Sequence, residues 1–291
     1  WLRHLASKGY VVIKQALSPE EVLVAKNLLW KDFEETSAGL SRDDIESWKS
    51  WKLSRSGLNP DVAQGTGAWH VRACPGVSKA FSQIWETSDL IVSMDCAIAW
   101  RPWWLESSWK PRTEGLHLDQ NPFTKPGREC VQGMVPLLPV SNASGGLQVV
   151  PQSHTDEAKE ALKREYPHLL YKGDWCMLND SDFTATLLLA GPGDLILWDS
   201  RTVHGGLVGT GDAQEIQANS SELARLAVAV SMVPRAWAGQ LVQQARIEGF
   251  QHGRTFNHSP HEAGTSSGTM PGRKRTNFVP IELSEAQRAL L

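Results

Sequence analysis

The chain has 291 residues, enough for one large domain or two small ones, and its 41% hydrophobic content with charges of both signs is that of a globular protein. A formal net charge of −3 gives no general electrostatic case for binding nucleic acid or an anionic membrane. No apolar run reaches the roughly 18–20 residues that span a bilayer, and the four scattered cysteines (Cys74, Cys96, Cys130, Cys176) contain no Cys-x-x-Cys pair, which fits reduced thiols in an intracellular, cytoplasmic protein.

The chain begins at Trp1 and not Met, which leaves room for a trimmed natural leader. Gly9-Tyr10-Val11-Val12-Ile13 reads as a short strand. Ser18-Pro19-Glu20-Glu21 then combines a capping Ser, Pro at the first helical position and Glu three residues after Ser. Val22, Ala25, Leu28, Leu29 and Phe33 follow at helical spacing, so the pattern predicts an amphipathic helix over 19–35. Residues 36–68 are polar, with little periodicity, and read as irregular with short helical turns; Val77, Ala80, Phe81, Ile84 and Trp85 mark a second helix.

From about residue 90 the pattern turns to strands: Leu90–Trp100, Gly115–Asp119, Val131–Val140, Leu147–Val150, Asp194–Asp199, Val203–Leu207 and Arg225–Val233, separated by Gly, Pro, Asn or Ser turns. Many short strands of this kind imply a sandwich or barrel, for which a jelly-roll is a standard solution. A charged helix is expected over 155–170, a polar loop over 208–221, an extended loop over 251–276 and a terminal helix over 284–291. The expected organisation is a single domain over 1–291. Residues 1–89 are mainly helical support, 90–235 a jelly-roll core with insertions, and 236–291 a C-terminal loop and helix. The fold class is mostly β with flanking helices.

Within this framework His117-Leu118-Asp119 stands out. On a strand, residues two apart share a face, which sets these two side chains about 6–7 Å apart at their backbones. A third ligand from a remote strand would complete one triangular face and leave the other open, the arrangement of two His and one carboxylate found in non-haem Fe(II) oxygenases. His204 is the candidate. It follows the turn Gly191-Pro192-Gly193-Asp194 and the apolar run Leu195–Trp198, and it precedes Gly205 and Gly206, which let a backbone pass close by. A solvated His-Asp pair and a satisfied core His are the plainer alternatives.

An open Fe(II) site needs a reductant. 2-Oxoglutarate would chelate the metal and require a cation for its distal carboxylate, which Arg provides as a bidentate fork. Arg225 opens a strand on which Ala227, Ala229 and Ser231 share its face, leaving room for a small diacid; an ordinary solvent-facing Arg is the alternative. Ser231 and Gln132 are further candidates for holding the cosubstrate. Four of the 13 Trp residues (Trp100, Trp103, Trp104 and Trp109) fall just ahead of His117. They suit either core packing or an aromatic wall for a flat, cationic or largely apolar substrate. Trp100, Trp104, Trp109, Gln120 and Trp198 are therefore candidate substrate contacts. The basic stretches at Arg254 and Arg273–Arg275 would suit an anionic substrate, or be solvated loops.

In this order these segments resemble the phytanoyl-CoA dioxygenase family of Fe(II)- and 2-oxoglutarate-dependent oxygenases. The likeness rests on Gly9–Val12 with the Ser18–Glu21 helix start, His117-Leu118-Asp119-Gln120, Gly145 to His154, Gly193-Asp194-Leu195 leading to His204-Gly205, and then Arg225. It covers most of residues 1–235. It implies a double-stranded β-helix (jelly-roll, cupin-like) core packed by N-terminal helices. It also implies Fe(II) on His117, Asp119 and His204, with 2-oxoglutarate on Arg225 and O2 as oxidant. The activity implied is hydroxylation of a small molecule with release of succinate and CO2, with desaturation or cyclisation as variants and no catalytic residue needed beyond the metal ligands. Asp119 argues against halogenation, for which related enzymes vacate that position. His154 is read as structural.

Two departures from the family pattern stand out. Arg225 lies 21 residues beyond His204, farther than the family spacing, so Arg201 and Arg235 are rivals. Gly206 occupies a place where relatives often carry Ser or Thr. A cupin-like metalloenzyme that does not use 2-oxoglutarate, and a non-catalytic ligand-binding β-barrel, are the competing readings. The implied partner is a small-molecule substrate, with no nucleic-acid or membrane signal and the oligomeric state left open.

Overall fold

The structure, a computed structural model, describes residues 1–212, 222–262 and 278–291. Its strands form two antiparallel sheets that do not close into a barrel. The larger runs β1 (Tyr10–Ile13), β10 (Leu195–Asp199), β6 (Val131–Pro136), β12 (Arg225–Pro234), β4 (Ala97–Trp100), β2 (Leu58–Asn59), with β3 (Leu90–Val92) also paired to β12. The smaller runs β8 (Cys176–Met177), β5 (His117–Leu118), β11 (His204–Val208), β7 (Gly145–Val149), β9 (Thr186–Leu187). This is the jelly-roll arrangement of mostly antiparallel strands with flanking helices that the strand pattern implied.

The helices are α1 (Leu2–Lys8), α2 (Pro19–Thr36), α3 (Thr66–Ala73), α4 (Pro75–Trp85), α5 (Asp156–Glu165), α6 (Gln240–Gln251) and α7 (Glu285–Arg288). At the start of α2 the Ser18 hydroxyl accepts from Glu21 N–H (3.2 Å) and the Glu21 carboxylate accepts from Ser18 N–H (2.7 Å), the reciprocal cap expected there. The helix buries Val22, Ala25, Leu29 and Phe33. Its Asp32 is buried too and accepts from Thr66 N–H, Thr66 Oγ1 and Gly67 N–H at 2.8–3.0 Å, an anion at the N-terminus of α3. Helix α4 covers the outer face of the larger sheet, where Phe81 lies over Gly133 of β6.

Several boundaries differ from the pattern. The expected strand 90–100 is two strands, β3 and β4, both on β12. Between them Ser93 and Ser231 exchange hydrogen bonds (Ser93 N–H to Ser231 O 2.7 Å, Ser231 N–H to Ser93 Oγ 2.9 Å) and the chain bulges at Met94 and Asp95. Helices α3 and α6 were not expected because each turns an Arg inward, which breaks the apolar stripe. Arg72 is fully buried, donating to the Ala63 and Asp95 carbonyls. Arg246 is fully buried, donating to the Val92 and Leu291 carbonyls. The loop expected at 208–221 begins inside β11, and its residues 213–221 lie outside the described residues, as do 263–277 of the C-terminal loop. Among the described residues no helix is long and apolar enough to cross a membrane, and all four cysteines are free and buried.

Candidate metal centre and cavity

His117 and His204 face each other directly in the antiparallel pair of β5 and β11, their ring centroids 4.5 Å apart. Asp119 lies just past the end of β5 and turns back to both: Oδ1 is 3.6 Å from His117 Nε2 and Oδ2 is 3.2 Å from His204 Nε2. One donor atom from each of the three lies within 4.8 Å of the others. Each imidazole donates its Nδ1–H to a backbone carbonyl, His117 to Gly115 (3.0 Å) and His204 to Thr202 (2.9 Å). That fixes the tautomer that turns the Nε2 lone pair inward, as metal-binding imidazoles do. Gln132 Nε2 donates to Asp119 Oδ2 (3.1 Å), orienting the carboxylate from the opposite sheet.

The electrostatics suit a cation. Burial and the neighbouring His204 push His117 down, toward the neutral form that binds metals. Burial would raise Asp119, but His258, His117 and His204 outweigh it and hold its carboxyl well below the usual carboxylate range. Two imidazole nitrogens and a carboxylate converge within 4.8 Å of one another, a donor set that fits a divalent ion of the Fe(II) kind.

A cavity of about 570 Å3 opens beside this trio. Arg225 lies in its wall as the first residue of β12, paired with Trp100 on β4, and its guanidinium lies 4.4 Å from the Trp100 ring centroid. It is 6% exposed, its Nη2 reaches the Met134 sulfur at 3.2 Å, and its Nε has no hydrogen-bond partner among the described residues. Burial lowers its pKa to about 10, which still leaves it charged at neutral pH. The rivals are committed elsewhere. Arg201 forms a two-point pair with Asp199 (2.8 Å each), and Arg235 bonds to Asp89 (2.9 Å) and to the Leu90 and Ala289 carbonyls.

Of the other candidates, Trp100, Trp198, Gln132 and Ser231 line the cavity. Ser231 spends its hydroxyl on the Val131 carbonyl (2.9 Å). Three candidate substrate contacts lie outside the cavity wall. Gln120 is buried, donates to the Lys125 and Gly127 carbonyls and accepts from Ser200 Oγ (2.5 Å), so it pins the loop after Asp119. Trp104 packs edge-on against Trp103, and Trp109 packs on Trp48 and under the Arg101 guanidinium. For these rings core packing prevails, because the chain turns away from the cavity after Trp100. Arg254 is not in the cavity wall, and Arg273–Arg275 lie outside the described residues. His154 packs near Gly9 with its ring nitrogen 2.9 Å from the Ala6 carbonyl.

The structure adds residues that no pattern marked. His258 comes within 3.8 Å of Asp119 Oδ2, Asp95 enters from the bulge between β3 and β4, and Trp175 stands 6.4 Å from the His117 ring. The segment Thr255–Ser259 forms one side of the cavity, held in place by Phe256 N–H donating to the Met94 carbonyl (2.9 Å). A lone His or Asp in a polar stretch carries no spacing signal, so only its tertiary placement reveals it.

A family model described as phytanoyl-CoA dioxygenase matches residues 5–213. "Ava biosynthesis cluster protein O" of Aspergillus versicolor is 29% identical over 281 residues, 90% of this chain and 86% of that protein. A Dictyostelium discoideum protein carrying the phytanoyl-CoA dioxygenase name is 22% identical over 242 residues, 68% of each chain. Among solved structures the apo form of the non-heme monooxygenase ThoJ aligns with TM-score 0.51 at 13% identity, over 80% of this chain and 76% of that one, a likeness of fold.

Proposed function

Given that the chain belongs to the phytanoyl-CoA dioxygenase family, we propose that it is an Fe(II)- and 2-oxoglutarate-dependent oxygenase that oxidises a small organic molecule and releases succinate and CO2. Hydroxylation is the default outcome. The observation that carries this reading is Arg225: a buried guanidinium without a carboxylate partner among the described residues, in the wall of the cavity that holds the His117, Asp119 and His204 donor set.

When bound, iron and 2-oxoglutarate together supply the O2-dependent oxidising power for an unreactive C–H bond. His117, Asp119 and His204 would hold the ion from one side and leave the other open. Gln132 keeps the Asp119 carboxylate turned toward the two imidazoles, and the carbonyls of Gly115 and Thr202 hold their tautomers. Arg225 would receive the distal carboxylate of the diacid, with Trp100 supporting the guanidinium from beneath. Trp100, Trp198 and Phe256 give the cavity an aromatic wall that would shield the reacting carbon from water. The name of the Aspergillus versicolor relative supports a biosynthetic small molecule as the substrate class.

A metalloenzyme without 2-oxoglutarate, or an inert binding barrel, would leave Arg225 as a buried charge with only the Trp100 ring and the Met134 sulfur to set against a desolvation cost of several kcal/mol. The test is anaerobic addition of Fe(II) and 2-oxoglutarate to the purified protein. The weak visible charge-transfer band of the chelate is expected in the wild type and absent in Asp119→Ala and His204→Ala. Arg225→Ala should weaken 2-oxoglutarate binding about 100-fold with metal binding kept, in line with losing a buried charge-assisted pair. Absence of the band in the wild type would sink the proposal.

A further inference from the structure

Besides Asp119, four carboxylates line the cavity: Asp95, Glu114, Asp174 and Glu262. Among the described residues of that lining, Arg225 is the lone Arg or Lys. Lys125 stands behind the wall and joins Asp174 (2.7 Å) to Glu262 (2.5 Å). Once Arg225 and a metal ion are engaged by the cosubstrate, the surface left to the substrate is acidic. A thioester of coenzyme A, with its several phosphates, would find no further Lys or Arg among the described residues of that wall.

Asp95 is the carboxylate best placed to be used. The break between β3 and β4 delivers it to the cavity wall, and its Oδ1 accepts from the N–H of Cys96 (2.7 Å). Arg72 lies behind it, its guanidinium donating to the backbone carbonyls of Ala63 (2.6 Å) and Asp95 (2.8 Å), and the His258 imidazole in the cavity wall is the other basic neighbour of Asp95. Trp175, Trp198 and Phe256 give the same cavity flat apolar walls, and the exposed Trp175 offers an open ring face beside His117. Aromatic faces and carboxylates together favour a cation and disfavour an anion.

Resting on the oxygenase reading, we infer that the enzyme's substrate carries a protonated nitrogen on an apolar body of aromatic size, and that Asp95 is the carboxylate that receives the nitrogen. A cavity of about 570 Å3 accommodates such a molecule beside the cosubstrate.

Tryptamine, 3-methylindole and indole-3-acetate share one ring system and differ in charge. Equilibrium dialysis of each against the protein, without oxygen and with redox-silent Ni2+ and 2-oxoglutarate present, reads the charge preference with Arg225 occupied. Tryptamine should bind at least about tenfold more tightly than indole-3-acetate, with 3-methylindole between them. In Asp95→Asn, which keeps an acceptor for Cys96 N–H, that ratio should fall toward one while 2-oxoglutarate affinity stays the same. Equal binding, no binding, or a preference for indole-3-acetate in the wild type overturns the inferred class. A preference undiminished in Asp95→Asn overturns the role of Asp95. If 2-oxoglutarate itself fails to bind in these samples, the oxygenase reading falls instead, and the charge preference is measured on the protein alone.

Discussion

Gln132 and Asp119 sit on opposite sheets, yet the amide nitrogen of Gln132 donates to Asp119 Oδ2 at 3.1 Å. In the larger sheet Gln132 lies between Trp198 on one neighbouring strand and Ser231 on the other. Its position is therefore set by the central ladder, whereas Asp119 stands just beyond the end of a two-residue strand. The central sheet thus orients a carboxylate that its own strand does not hold. Gln132→Leu should accordingly lower metal affinity by about 10- to 100-fold, the usual cost of losing such a supporting contact. Calorimetric titration with Fe(II) or Ni2+ checks this, and an unchanged affinity would mean that Asp119 needs no such support.

Gly205 is required for a steric reason. A Cβ there would come within 2.2 Å of the Gly115 carbonyl oxygen, the same oxygen that accepts from His117 Nδ1–H. Gly205→Ala should displace that carbonyl, cost about 1–3 kcal/mol as overpacking does, and weaken metal binding without touching a ligand. Denaturant unfolding and a metal titration on the same variant separate the two effects.

Arg225 is held at a cost to the folded protein. Without a diacid its buried charge has only the Trp100 ring and the Met134 sulfur beside it among the described residues. Arg225→Met should melt no lower than the wild type in plain buffer, since a buried charge without a partner gives way to an apolar side chain at no loss. The wild type should gain about 2.7 kcal/mol at 2-oxoglutarate concentrations 100 times its Kd, and a variant that binds about 100-fold more weakly should gain only about 0.4 kcal/mol there. Thermal melts with and without the diacid give both results.

Asp194 makes an acid-sensitive corner. Its burial works against the charge, but the ammonium of Lys14 (2.8 Å) and the N–H groups of Gln15 (2.9 Å) and Gly191 (2.7 Å) outweigh that and hold its pKa below the usual 3.8. A depressed folded pKa stabilises above the unfolded value and loses its contribution as pH falls through the folded one. Asp194→Asn should therefore cost about 1–2 kcal/mol at pH 7, from the weakened N–H bonds more than from the exposed Lys14. The gap from the wild type should narrow below pH 3.8. Urea midpoints at pH 7 and pH 3 test the sign; a gap that widened in acid would contradict it.

Local chemistry made much of this legible. The cap Ser18-Pro19-Glu20-Glu21 set the start of α2 because all its partners lie within one turn. The spacing of His117 and Asp119 brought the two near each other because residues two apart on an extended chain share a face, even though the strand itself ends at Leu118. Arg225, with Ala227, Ala229 and Ser231 beyond it, likewise follows from strand alternation, and both Arg225 and Ser231 line the cavity. Trp104, Trp109 and Gln120 lie outside the cavity wall for the complementary reason. Composition and nearness in sequence do not say on which side of a turn a large or polar side chain will find its partners.

Alternation and capping are properties of a few adjacent residues, and the linear order carried them: the jelly-roll class, the closeness of His117 and Asp119, and the candidate guanidinium. What the tertiary structure alone decided was the meeting of segments far apart in the chain. The β5–β11 register sets His204 opposite His117, the bulge before β4 turns Asp95 to the cavity, and the segment at His258 comes to lie over Asp119. Those encounters depend on sheet register and loop packing, where many residues act together, so no single local pattern encodes them.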